Sequence, residues 1–254
     1  MILLMGGTQD AREVVKALNL AFPRTMIVAT AVSDYGADLL RKQGGCVVLQ
    51  GAMDAAALTS FIREKEVRVL VDATHPYAEG ASKEAQQAAK EADIAYLRYE
   101  RPAADIPAGD GVYYAPDFAA AATISARLGK KIFLTIGTRH LQEFITALAP
   151  EKEVVARILP DEGGIEHCRK LGLSPAQIVA LQGPVTKELN AALFAQYGAQ
   201  VVVSKDSGRT GGTPEKVAAA REKKIPIVLV RRPAGPGGLG SPAEVIAAVR
   251  KLLS

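Results

Sequence analysis

The chain has 254 residues, 48% of them apolar and 23% charged, with a formal net charge of +4. That length allows one large domain or two modest ones with cores of their own. The charge is too mild to mark a nucleic-acid binder, and no apolar run is long enough to span a bilayer. The small positive excess suits an acidic small molecule, and with 5% aromatic residues and no Trp, stacking is not expected to dominate binding.

No basic segment followed by an apolar stretch precedes the first strand, so a cytoplasmic protein is expected. Cys46 and Cys168 stand far apart without metal-ligand spacing. They read as apolar-like thiols in a reducing compartment, and no metal site is expected.

In chain order, the run Ile2-Leu3-Leu4-Met5 predicts a strand, and Gly6-Gly7-Thr8 breaks it before a helix-periodic segment over 10–20. Strand, glycine turn and helix in that order present backbone N–H groups and a positive helix end to a phosphate. Adjacent glycines depart from the full Gly-x-Gly-x-x-Gly fingerprint, and a plain tight turn is the alternative. Further strands are expected at 26–30, 46–49, 69–71, 95–98, 132–136, 153–157, 178–181, 201–203 and 227–230. Helical periodicity fills 55–65, 83–91, 139–148 and 214–223, and 113–128 reads as one more strand and helix. Most strands lack polar alternation, as in parallel sheets covered on both faces. The rhythm predicts an α/β fold of two Rossmann-like parallel-sheet domains.

An internal repeat supports two similar halves. Gly7-Thr8 matches Gly137-Thr138 at an offset of 130, Leu49-Gln50-Gly51 matches Leu181-Gln182-Gly183 at 132, and Arg101-Pro102-Ala103 matches Arg232-Pro233-Ala234 at 131. Each Arg-Pro-Ala precedes a Pro/Gly-rich stretch, 104–111 or 235–240, and then a helix start, Pro116-Asp117 or Ser241-Pro242. The expected division is 1–111, with 104–111 as connector, and 112–254, with 112–128 assignable to either; a ligand cleft between the halves is expected.

Ligands of open α/β sheets sit beyond the carboxyl ends of the strands. In the first half those positions hold Gly6, Gly7 and Thr8, the loop Thr30, Ala31, Val32 and Ser33, and Asp72, Ala73, Thr74, His75 and Tyr77. The second strand is followed by hydroxyls rather than at once by an acid, which leans towards NADP(H). Pro76 holds His75, whose ring is a candidate proton donor or a loop cap. In the second half they hold Gly137, Thr138 and Arg139, Gln182 and Gly183, and Lys205, Asp206, Ser207, Gly208 and Arg209. Arginines near strand ends, Arg231 among them, suit carboxylates, while Arg101 and Arg232 read as structural ion pairs.

The segments Leu4-Met5-Gly6-Gly7-Thr8-Gln9-Asp10-Ala11-Arg12, Ser33-Asp34-Tyr35-Gly36, Asp72-Ala73-Thr74-His75-Pro76-Tyr77-Ala78 and Arg98-Tyr99-Glu100-Arg101-Pro102 resemble the precorrin-6A reductase family of cobalamin biosynthesis. In the second half Ile136-Gly137-Thr138, Gln182-Gly183-Pro184, Lys205-Asp206-Ser207-Gly208, Gly211-Gly212-Thr213-Pro214-Glu215-Lys216 and Arg231-Arg232-Pro233 extend the resemblance in order. One departure is Val185-Thr186, where an aromatic and Ser are expected. The resemblance implies NADPH-dependent reduction of one macrocycle double bond, giving precorrin-6B or its cobalt form, with a tetrapyrrole as partner. It implies the first-half loops for NADPH, the second-half loops for substrate, and His75 or Tyr77 for the proton, with water or a substrate carboxyl as the alternative sources. Two other readings are a non-catalytic NADP(H)-binding sensor and a two-domain sugar-nucleotide transferase. Oligomeric state has no signal in the sequence.

Overall fold

Every strand pairing in the two sheets is parallel, as the unbroken apolar runs require. The computed structural model describes residues 1–148, 151–233 and 237–253. The first sheet contains β1 (Ile2–Met5), β2 (Ile27–Ala31), β3 (Val47–Gln50), β4 (Val69–Asp72) and β5 (Ala95–Arg98). Between them run α1 (Gln9–Ala21), α2 (Asp34–Gln43), α3 (Ala55–Glu64) and α4 (Glu79–Glu91). The second sheet contains β6 (Val112–Ala115), β7 (Lys131–Thr135), β8 (Glu153–Ile158), β9 (Ile178–Ala180), β10 (Val201–Lys205) and β11 (Ile227–Val230). Its helices are α5 (Phe118–Leu128), α6 (Leu141–Leu148), α7 (Glu162–Lys170), α8 (Lys187–Gln196) and α9 (Thr213–Glu222), and α10 (Pro242–Leu253) ends the chain.

The orders are β3-β2-β1-β4-β5 and β6-β11-β10-β7-β8-β9. Strands β7 to β11 therefore occupy the places of β1 to β5, which establishes the duplication at the level of topology. In the first unit β1 is fully buried, and Ala11, Val14, Val15 and Leu18 of α1 close over the sheet at helical spacing. Val14, Val15 and Leu18 each contribute about 1.5–3 kcal/mol by leaving water. In the second unit Phe133 meets Phe194 edge-on at 5.3 Å within the core.

The second sheet has β6 outside β11. In the first sheet that outer place is taken by one parallel bridge, Leu239 to Tyr99, just past β5. The two edges are bonded alike: Glu100 N donates to Leu239 O at 2.9 Å, and Arg231 N donates to Ala115 O at 2.8 Å. The helices that follow are capped alike, with Asp117 accepting from Ala120 N and Ser241 from Glu244 N. The last strand-and-helix step of each repeat thus completes the sheet of the other.

This exchange corrects the expected division. The units are Met1–Pro102 with Ala234–Ser254, and Ala103–Pro233. The tail 242–253 leaves the second half because Val245 and Val249 of α10 are buried in the first unit's core, with the helix against α1 and β5. The segment 112–128 joins the second unit, where β6 pairs with β11. Ala234 and residues 235–236 of the second Pro/Gly-rich stretch lie outside the described residues. Asp34-Tyr35-Gly36, which follow residues 30–33, are helical. They form the first turn of α2, because Ser33 caps it by accepting from Gly36 N at 3.1 Å while Ala37 and Leu40 bury its inner face.

Candidate functional site

In the first unit the ends of β1, β2 and β4 converge. Gly6 N donates to Thr30 O and Ala73 N to Met5 O. Gly6 has φ +136°, and a Cβ there would lie 2.5 Å from Ala73 O. A Cβ on Gly7 would lie 3.0 Å from the Ala31 side chain and 3.1 Å from Gly36 Cα. The paired glycines therefore have an internal reason: they let three strand-end loops touch. Thr8 caps α1 by accepting from Ala11 N at 3.3 Å, and the other N–H groups of the first turn lack intrahelical partners. Asp10 beside them is turned inward onto the buried guanidinium of Arg101, so its charge does not oppose an incoming anion. These residues fit a phosphate-bearing cofactor.

Of the neighbouring hydroxyls, Thr30 is buried and Ser33 is exposed at the α2 cap, next to buried Ala31. Asp34 follows in the first turn, tied to the Gln50 amide, which also accepts from Arg41. An arginine is therefore linked to this loop through space, though not through adjacent sequence.

Asp72 was expected to touch the cofactor; instead it is fully buried and holds its own chain together. It accepts from Thr74 N at 2.9 Å, Tyr96 Oη at 2.8 Å and Arg98 Nη1 at 2.8 Å. Burial, and then the Asp72 charge, push the Tyr96 phenol up, so it remains a donor. Arg98 also donates to Thr74 Oγ1 at 3.0 Å. Asp72 is thus a positioning group for the Ala73-Thr74-His75 loop.

His75 is half-buried, and its Nδ1 accepts from Tyr77 N at 3.3 Å. That is the loop-capping bond of the alternative reading, and it places the proton of the neutral ring on Nε2. Tyr77 is 6% exposed, with its ring 5.6 Å from that of His75.

In the second unit Gly137 takes φ +75° with open space where a Cβ would stand, so this turn is set by backbone conformation alone. Thr138 and Arg139 follow, and His140 stacks on Phe118 at 3.7 Å between centroids. Lys205 Nζ lies 5.7 Å over the same Phe118 ring, and burial followed by the Arg139 charge lowers its pKa to about 8. The structure thus joins Arg139 and Lys205 electrostatically, around an aromatic pair the sequence reading did not single out. Gln182 is exposed, and the Gly183-Pro184 bend brings Pro184 Cβ to 3.0 Å from where a Gly212 Cβ would stand.

The loop after β10 departs from expectation. Asp206, Ser207 and Gly208 are buried and internally bonded, and only Arg209 is exposed. Ser207 N donates to Thr213 Oγ1, Gly208 N to Asp206 Oδ1 and Thr213 N to Gly208 O. A Cβ on Gly211 would lie 2.1 Å from Ser207 Cβ, which is why this turn needs glycine.

Sequence reading also missed Lys216 as a site group. It is 5% exposed in the first turn of α9, with Nζ donating to Gly211 O at 2.9 Å. Burial, then the Arg157 charge, lowers its pKa to about 7, with Lys205 adding to the shift and Glu215 and Asp206 opposing it. Arg157 is itself buried against Asn190 Oδ1 at 2.7 Å. The signal in sequence was a cation at a helix N-terminus, where the dipole disfavours it. Because the unfolded chain stays protonated to about pH 10.5, it binds more protons than the fold between pH 7 and 10.5. The Lys216 penalty is therefore full below pH 7 and relaxes as pH rises. Lys216→Met is expected to stabilise the chain more at pH 7 than at pH 10, by at least about 1.4 kcal/mol. Urea unfolding at the two pH values checks this; equal shifts would contradict it.

Among the described residues no group of three metal-ligating side chains is found, and no helix is long and apolar enough to cross a membrane. The family model described as Precorrin-6x reductase CbiJ/CobK matches residues 1–250. A cobalt-precorrin-6A reductase of Methanothermobacter thermautotrophicus is 38% identical, over 91% of this chain and 76% of its own. One from Priestia megaterium is 40% identical, over 92% of this chain and 91% of its own. The solved structure of a CobK precorrin-6A reductase superposes with a TM-score of 0.77 at 24% identity, covering 99% of this chain and 96% of that one, and shows the same fold. The chain belongs to the precorrin-6x reductase family, and is an NADPH-dependent oxidoreductase of cobalamin biosynthesis.

Proposed function

We propose that the chain reduces cobalt-precorrin-6A, that its first unit holds NADPH, and that its second unit holds the tetrapyrrole. The observation that carries the substrate choice is that the relatives at 38% and 40% identity are both named for the cobalt form. NADPH, when bound, supplies the hydride. The first-turn N–H groups of α1, reached past Gly6, Gly7 and Thr8, receive its pyrophosphate, and the exposed Ser33 hydroxyl lies where the second strand ends. Arg139 and Lys205 offer the charge for the substrate's carboxylates, with Thr138, Gln182, Gly183 and Arg209 as further second-unit candidates. The buried Asp206, Ser207 and Gly208 shape that loop rather than touch the ligand. We place the enzyme in the cytoplasm, where Cys46 and Cys168 stay thiols.

The test is loss of NADPH absorbance with cobalt-precorrin-6A and with the metal-free compound. Faster turnover of the cobalt form supports the proposal; preference for the metal-free form overturns the substrate choice.

His75 delivers the proton that follows the hydride in its imidazolium form, and the neutral ring left behind is the one whose Nδ1 accepts from Tyr77 N. His75→Ala is expected to lower kcat by about 10²-fold, the low end for a general acid, and to flatten the pH profile between 5 and 8. An unchanged profile would remove His75 from this role and leave Tyr77 to be tested by Phe substitution.

A further inference from the structure

The segment read as a connector builds a pocket inside the second unit. A cavity of about 440 Å³ opens at the carboxyl ends of β10, β11 and β6, lined by residues 103–108 on one side and by Tyr114, Asp206, Arg231 and Arg232 on the other. Its walls are pinned. Ala104 N donates to Asp206 Oδ1 at 3.2 Å, Tyr114 Oη to Ile106 O at 2.8 Å, and Arg232 Nε to Asp206 O at 2.9 Å.

Arg231 is the exposed cation of this pocket. Its guanidinium lies 4.8 Å over the Tyr114 ring, and no carboxylate of the described residues stands within ion-pair distance of it. Burial, and the charges of Asp206 and Asp105, keep the Tyr114 phenol protonated against the pull of Arg231. The ring therefore stays a neutral face that fixes the guanidinium plane and leaves its N–H edge for a ligand. Asp206 makes no ion pair with it; its Oδ1 accepts from Ala104 N and Gly208 N.

The repeat adds an independent observation. Glu100 holds, in the first sheet, the place that Arg231 holds in the second, each donating its backbone N–H to the outer edge residue. Two copies of one backbone position thus carry opposite charge, and only the second presents a cation. The volume is at the lower end for small-ligand sites and suits a side arm rather than a whole macrocycle.

We infer that this pocket receives a carboxylate side arm of the tetrapyrrole, bound by the Arg231 guanidinium from its seat on Tyr114. The inference rests on the reductase reading for the identity of the ligand. A phosphate of the cofactor is the other source of the same chemistry, and the test separates the two. Arg231→Ala, Arg231→Lys and Arg231→Glu are compared with the native chain in three readouts: tetrapyrrole affinity without NADPH, followed by absorbance, tetrapyrrole KM and NADPH KM. Arg231→Ala is expected to weaken tetrapyrrole binding and raise its KM roughly tenfold or more, with NADPH KM unchanged. Lys should recover part of the loss, and Glu should be worse than Ala. Unchanged tetrapyrrole affinity in Arg231→Ala, or a loss confined to NADPH KM, overturns the inference. Failure of the reductase reading shows separately, as a native chain that oxidises NADPH with neither tetrapyrrole, while the binding readout still judges the pocket.

Discussion

A chain ending at Gly237 is expected to lose its first sheet while keeping its second. The deleted α10 carries Val245 and Val249, both 0% exposed, and Ile246 and Leu253 pack against the same core. At about 1.5–3 kcal/mol per buried aliphatic side chain, the loss reaches roughly 5 kcal/mol or more. Domains of this kind are stable by about 5–15 kcal/mol in total. The Leu239 bridge and its two backbone hydrogen bonds go as well. Hydrogen exchange reads the result strand by strand. Amides of β1 and β2 should lose protection, although they lie at the other end of the sequence. Loss confined to β10 and β11 would mean that the tail belongs to the second unit after all.

Asp72→Ala should cost about 3–5 kcal/mol, the usual consequence of stranding a buried charge. Arg98 would lose its 2.8 Å carboxylate partner and keep Glu100 Oε2, 4.0 Å from its Nε, and Tyr96 Oη would lose its acceptor. Asp72→Asn retains an acceptor for Thr74 N and should be milder. Urea midpoints of the two variants check the order. A change under about 1 kcal/mol in Asp72→Ala would show that solvent reaches this cluster and satisfies it.

The internal repeat shows how far pattern reaches. Gly-Thr at 7–8 and 137–138, and Arg-Pro at 101–102 and 232–233, mark equivalent points of two sheets with matching order. Local turn chemistry recurs with the fold, so it survives in the letters. The structural pairing expected of Arg101 is likewise found, with Asp10. The role of Asp72 was not legible, because its partners Tyr96 and Arg98 lie 24 and 26 residues away. A strand-end carboxylate looks the same in sequence whether it faces a ligand or the interior. Lys216, Phe118 and Tyr114 escaped for the same reason, since burial and ring contacts depend on which helix covers which strand.

By itself the sequence determined the α/β class, the parallel strands, the duplication and the family. Those follow from apolar runs, glycine turns and spacing, all of which act over a few residues. Only the tertiary structure decided which helix belongs to which sheet, which acids are spent on their own chain, and where an arginine stands on an aromatic ring. These rest on contacts between segments that the chain brings together only on folding. The exchange of the last strand-and-helix steps is the clearest case. Val245 and Val249 specify an apolar helix face, and nothing in that local pattern says which of two similar sheets will bury it.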